Sequence, residues 1–208
     1  MQAVIFDLDG TLIDSAPDIA AVVNRVLAAD GLQPLDLPTL RDMIGDGAGA
    51  LLERAFAARG EKAQAQHLAA FVADYQANPV VETQLYDGLP QVLAQLRAEG
   101  RPLGICTNKP MAPTLRILDR LGLGDMFGAV VGGDSTPHRK PDPAHLAATL
   151  AGLGTDRAIM IGDHENDLRA AEGLGLPVIF AGWGYGRAAA THIAETPADL
   201  PRLIAKMA

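Results

Sequence analysis

Two carboxylates, Asp7 and Asp9, close an uninterrupted apolar run, Ala3-Val4-Ile5-Phe6. Gly10 and Thr11 follow at once, adding a residue able to turn tightly and a hydroxyl. Like charges this close raise one pKa unless a cation sits between them. A hard divalent ion resolves the conflict, and an oxygen-only donor set favours Mg2+ over zinc. A bare Asp-x-Asp would more often be an acidic surface turn. The full run through Asp7-Leu8-Asp9-Gly10-Thr11-Leu12 is far more specific.

Those carboxylates need a scaffold. Four apolar residues without a polar break read as a strand buried on both faces, as in parallel sheets. The same grammar recurs: residues 103–106 run into Thr107-Asn108, residues 129–131 end near Asp134, and residues 158–161 lead to Gly162-Asp163. A fifth strand is expected at 178–180. Helical patterns at about 90–98, 112–121, after Pro143 and at 167–173 alternate with these strands, which implies βαβ units and a doubly wound, Rossmann-like parallel sheet in the α/β class. Parallel strands share a direction, so Asp7, Thr107, Asp134 and Asp163 are expected at one sheet edge, where open α/β sheets bind ligands.

Between the first two strands the period changes. Ile19, Val22, Val23, Val26 and Leu27 share one helical face, with Pro17 near its start and Gly31 beyond its end. Further helices are expected at about 39–44, at 50–59 with Leu51, Leu52, Ala55 and Phe56 inward and Gly60 as the stop, and at 63–76. Residues 15–83 therefore read as an all-helical insertion, with 1–14 and 84–208 forming the α/β core.

Composition excludes several function classes. The 208 residues suffice for one core plus a small inserted domain, and with about half of them apolar the chain is globular. A formal charge of −8 argues against nucleic acid or anionic membranes as partners. No run approaches the ~18 apolar residues of a membrane helix, and no basic region precedes an apolar core, so a cytoplasmic location is expected. The single cysteine, Cys106, excludes an internal disulfide and reads as a buried filler. A small anionic substrate is compatible with the net negative charge if metal and lysine concentrate positive charge locally, and the chain itself is expected to be a monomer or homodimer.

The segment Asp7-Leu8-Asp9-Gly10-Thr11-Leu12 resembles the first motif of the haloacid dehalogenase-like phosphohydrolases, and three later segments match that superfamily in order. Thr107-Asn108 looks like the second motif, whose hydroxyl and backbone amide bind the transferring phosphoryl group. Lys140, in Arg139-Lys140-Pro141-Asp142-Pro143, looks like the third, a point charge offsetting phosphate and nucleophile. Gly162-Asp163-His164-Glu165-Asn166-Asp167 looks like the fourth, which supplies the remaining metal carboxylate. The resemblance implies phosphoryl transfer through an aspartyl-phosphate. Asp7 would be the nucleophile and Asp9 the proton carrier. Mg2+ would be held by the Asp7 carboxylate, the Asp9 backbone carbonyl and Asp163, with Asp167 orienting a metal-bound water. The presence of Asp9 separates the chain from the true dehalogenases, which lack that acid.

A closer resemblance, to bacterial phosphoglycolate phosphatases, is carried by Asp14-Ser15-Ala16-Pro17-Asp18, Ile44-Gly45-Asp46-Gly47-Ala48, Cys106-Thr107-Asn108-Lys109-Pro110, Gly132-Gly133-Asp134-Ser135 and Arg139-Lys140-Pro141. It implies that the insertion is a cap and that its loop, with Gly45, Asp46 and Gly47, meets the substrate, 2-phosphoglycolate. Two departures stand out. Met43 replaces a bulky aromatic, and Asp46 puts a negative charge where a doubly anionic substrate would arrive. Alternatives are a phosphatase of another small ester, such as a sugar or amino-sugar phosphate, a phosphomutase, and a signalling receiver domain. His138 reads as a solvated loop histidine and His164 as no ligand, while Trp183-Gly184-Tyr185-Gly186 reads either as bordering the pocket or as packing there.

Overall fold

The computed structural model describes residues 1–77 and 80–207. The chain begins with β1 (Ala3–Phe6), β2 (Ile13–Asp14), α1 (Ala16–Ala29), α2 (Leu37–Arg41), α3 (Ala48–Ala57), α4 (Ala65–Ala77) and β3 (Gln84–Leu85). It continues through α5 (Leu89–Ala98), β4 (Leu103–Cys106), α6 (Met111–Arg120), β5 (Ala129–Val131) and α7 (Pro143–Leu153). The last elements are β6 (Ala158–Gly162), α8 (Glu165–Glu172), β7 (Val178–Ala181), β8 (Ile193–Ala194) and α9 (Leu200–Met207).

Six strands form one sheet in the order β5-β4-β1-β6-β7-β8, with every pairing parallel. The chain winds from β1 through β4 to β5, then returns to add β6 on the other side of β1. β1 thus stands at the switch in winding direction, and the crevice beyond its carboxyl end is the ligand position of such sheets. Side chains alternate across the strands. Val4, Phe6, Leu103, Ile105, Ile159 and Ile161 enter one apolar layer with α5, α6 and α9. Ala3, Ile5, Cys106, Ala158 and Met160 enter the other with α7 and α8.

Helices α1–α4 bury an apolar cluster of their own. The expected faces hold: Ile19, Val22, Val23, Val26 and Leu27 of α1 pack with Leu51, Leu52, Ala55 and Phe56 of α3 and with Phe71 and Tyr75 of α4. Arg25 and Asp74 tie α1 to α4 at 2.7 Å. α2 is displaced from the expected 39–44 because Asp36 caps it, accepting a 2.8 Å bond from the Thr39 N–H, and Pro38 occupies its first turn.

Three features depart from the sequence expectation. β2 and β3 form a separate antiparallel ribbon, Ile13 against Leu85 and Asp14 against Gln84, where the chain leaves and re-enters the core. β8 extends the sheet to six strands rather than five. α9 closes the chain with Leu200, Leu203 and Ile204 buried. Two-residue strands are too short for an alternation pattern, so their pairing is a tertiary outcome. Among the described residues no helix is long and apolar enough to cross a membrane.

Candidate active site

The register sets Phe6 beside Ile105 on one side and Ile161 on the other. Asp7, Thr107 and Asp163 therefore leave the sheet close together, and all three are buried. The fourth residue of the expected edge is elsewhere. Asp134 follows β5 and is exposed, accepting a 2.7 Å bond from the Met111 N–H at the start of α6. Its carboxylate anchors a helix.

Asp7, Asp163 and Asp167 each offer a carboxylate oxygen within 4.8 Å of the others. The expected metal carboxylates thus converge, and Asp167 falls within the same span. Thr11 Oγ1 donates to Asp163 Oδ1 at 2.9 Å, and the Tyr185 N–H donates to Asp163 Oδ2 at 2.8 Å. Gly10 lies at φ +79°, and a Cβ there would overlap the Asp163 carboxylate, so this approach requires glycine. Burial first, and then the charge of Asp7, pushes the Asp163 carboxyl up to about 6. Burial raises the Asp167 carboxyl above the ordinary carboxylate range against the opposing charge of Lys140, with Asp7 and Asp163 adding to the rise. Three buried oxygen donors whose negative charges oppose one another fit a hard divalent cation such as Mg2+.

Lys140 supplies the fixed cation. Its Nζ lies 2.9 Å from Asp7 Oδ1 and 2.6 Å from Asp167 Oδ1. Burial opposes its charge, but Asp167 and Asp7 outweigh burial and raise its pKa. Asp7 Oδ1 also accepts from the Leu8 N–H at 2.7 Å, so both restraints act on one oxygen of the nucleophile candidate. Asn108 spends its side chain on architecture. Nδ2 donates to Gly45 O at 3.1 Å and Lys140 O at 3.0 Å, while Oδ1 accepts from the Lys140 N–H at 3.0 Å.

Asp9 is half-buried and faces away from that cluster. Its carboxylate accepts from Ser15 Oγ and pairs with Lys109 Nζ at 3.0 and 3.1 Å. Neither partner was assigned a role from sequence, although Lys109 stands two residues after Thr107 in the second motif. Asp7, Asp9, Thr107, Asn108 and Lys109 form the core side of a cavity of about 80 Å3. Its other wall comes from the helical segment, chiefly Ile19, Ile44, Leu51, Phe71 and Tyr75, with Gly45 and Gly47 at the edge.

Asp46 does not line this cavity. Its carboxylate pairs with Arg54 and accepts from Asn166 Nδ2 of α8 at 2.6 Å. Burial would raise its pKa, but the bonds from Arg54 and Asn166 prevail and lower it. The Asp46 charge is thus paired by Arg54 and Asn166 outside the cavity lining. Gly45, at φ +134°, lies so close to His164 that a Cβ would collide with the imidazole. His164 caps α8, its Nδ1 accepting from the Asn166 N–H. His138 pairs with Asp142 at the surface at 2.7 Å. Trp183 Nε1 donates to Thr11 O at 3.0 Å, and the Tyr185 hydroxyl accepts from the Ser15 and Ala16 N–H groups at 2.7 and 3.0 Å.

Residues 1–175 match the family model described as haloacid dehalogenase-like hydrolase. The chain belongs to this family. The match takes in all four motifs and the helical segment. The chain is 43% identical to a phosphoglycolate phosphatase of Cereibacter sphaeroides over 99% of its own length and 100% of that protein. It is 44% identical to one from Rhodospirillum rubrum over 89% and 81% of the two chains. Among solved haloacid dehalogenase-like structures, a predicted phosphoglycolate phosphatase from Haemophilus somnus 129pt superposes with a TM-score of 0.90 at 28% identity, covering 98% of each chain.

Proposed function

We propose that this hydrolase is a Mg2+-dependent phosphomonoesterase that converts 2-phosphoglycolate to glycolate and phosphate through a phospho-Asp7 intermediate. The relatives' names support the substrate, and the observation that carries its size class is the small cavity over Asp7 and Asp9. An apolar cavity of roughly 150 Å3 accepts benzene. A cavity of about 80 Å3 suits a two- or three-carbon leaving group and is small for a hexose. Residues 15–83, as a cap domain on a core of residues 1–14 and 84–208, would exclude water around that group.

In the first step an Asp7 oxygen bonds to phosphorus and the ester P–O bond breaks. Asp9 gives its proton to the leaving oxygen. In the second, Asp9 takes a proton from water as the water oxygen bonds to phosphorus, and the Asp7 carboxylate is restored. Lys140 holds Asp7 in position and offsets charge on the phosphoryl group. The Thr107 hydroxyl and the Asn108 backbone amide receive its oxygens. The carboxylates of Asp7 and Asp163 and the Asp9 carbonyl would hold Mg2+, with Asp167 acting through a water. When bound, the ion supplies charge neutralisation for the phosphoryl oxygens.

A receiver domain would carry its phosphoacceptor on a later strand and no helical insertion. Turnover of a metabolite panel with Mg2+ tests the proposal. 2-Phosphoglycolate is expected to exceed hexose phosphates and nucleotides in kcat/KM. A sugar phosphate clearly preferred would overturn the substrate and leave the chemistry standing. Asp7→Asn with near-normal turnover would overturn the covalent route.

A further inference from the structure

The leaving-group end of the cavity has an uneven chemistry. Ile19, Ile44, Leu51, Phe71 and Val72 make it largely apolar, and Lys109 is the one basic side chain among the described residues that line it. Lys109 is 6% exposed, and its Nζ stands 4.5 Å from the Tyr75 ring centroid, on the side of the helical segment. Tyr75 also lines the cavity and is 4% exposed, yet its hydroxyl has no hydrogen-bond partner. Buried hydroxyls without partners are costly, and this one belongs to a residue that lines the space a leaving group would fill. Lys140, the cation of the phosphoryl end, is already committed to Asp7 and Asp167.

A leaving group without charge or acceptors would leave the Tyr75 hydroxyl without a partner and Lys109 with Asp9 as its one carboxylate. We propose that Lys109 and Tyr75 form a carboxylate subsite, in which the ammonium and the phenol hydroxyl receive the anionic end of the leaving group. The subsite rests on the phosphomonoesterase assignment above and supplies its selectivity. The ammonium has three N–H donors on a flexible stem, so it can serve Asp9 and a substrate carboxylate together. The hydroxyl adds a directional donor from α4, so the anion is bound across the seam between helical segment and core. An ester of equal length lacking the carboxylate leaves both donors facing a methyl group, the situation in which polar sites reject analogues most strongly.

The test compares kcat/KM for 2-phosphoglycolate and ethyl phosphate, which share a two-carbon skeleton, with Mg2+ present. Wild-type protein is expected to prefer 2-phosphoglycolate. Tyr75→Phe keeps the ring beneath Lys109 and removes only the hydroxyl, so the fold is preserved. That variant should lower the preference ratio at least tenfold, mainly through KM, and Lys109→Met should lower it further. Equal losses on both esters, leaving the ratio unchanged, would show a purely structural role and overturn the subsite alone. Ethyl phosphate hydrolysed as well as 2-phosphoglycolate by wild type would also overturn the subsite while the phosphatase assignment stands. Hydrolysis of neither ester would overturn the assignment and the subsite with it.

Discussion

Lys140 Nζ stands 2.9 Å from Asp7 Oδ1, and both side chains are buried at the switch point of the sheet. The pair joins the residue after β1 to a loop more than a hundred residues away. Lys140→Met should leave Asp7 and Asp167 without their cation. Removing one partner of a buried pair typically costs about 3–5 kcal/mol, and Mg2+ should recover part of it. Turnover should fall by ~10²–10³, as for a lost electrostatic contact to the reacting group. Urea denaturation with and without Mg2+, beside kcat, checks both halves. Full turnover in the variant would remove Lys140 from the mechanism.

Asp9 is held by Ser15 and Lys109, apart from the Asp7, Asp163 and Asp167 cluster. Asp9→Asn keeps the backbone carbonyl and loses the proton carrier, so turnover should drop by ~10²–10⁴ with little change in Mg2+ affinity. Titration calorimetry and steady-state rates separate the two. Collapse of metal binding with the chemistry spared would reverse the division of labour.

The acidic cluster sets a pH dependence with a definite sign. Burial and Asp7 push the Asp163 carboxyl up to about 6, and burial, opposed by Lys140, raises Asp167 above the ordinary carboxylate range as well. Carboxyl pKa values raised on folding mean that the folded state binds protons more tightly. The cluster's contribution to metal-free stability should therefore rise as pH falls through that range. Mg2+ competes with those protons. Its gain in Tm should be large near pH 8 and shrink below about pH 6. Calorimetric scans across this range, with and without Mg2+, check it; a gain that grows on acidification would contradict the assignment.

Asp18 anchors the segment that returns from the helical insertion. Its carboxylate accepts from the N–H groups of Val81, Glu82 and Thr83 at 2.9–3.1 Å and from Thr83 Oγ1 at 2.6 Å. Burial acts to raise its pKa, but the bonds from Thr83, Val81 and Glu82 outweigh it and hold the carboxyl below its ordinary value. A depressed carboxyl contributes stability above its unfolded pKa of about 3.9, and loses it as pH falls through the lower folded value. Asp18→Asn should cost on the order of 2 kcal/mol at neutral pH and flatten the acid limb of the stability curve. Denaturation at pH 7 and down the acid limb tests this, and an unchanged midpoint at pH 7 would refute it.

Five of the six parallel strands and the convergence of Asp7, Thr107 and Asp163 were legible in the sequence, because buried parallel strands must be apolar throughout and their carboxyl ends must share an edge. So were the inward faces of α1 and α3, where the helical period is strong. What lies between those elements depends on long-range packing. Asp134 satisfied the same strand-end rule, yet β5 is the outer strand and its carboxylate turns to the start of α6. Asp46 reads in sequence as an unpaired charge, and only the folded chain brings Arg54 and Asn166 to it. The pairing of β2 with β3 and the meeting of Lys109 with Tyr75 join residues far apart in the chain. Local pattern cannot encode such contacts, since they depend on how two separately packed apolar clusters meet.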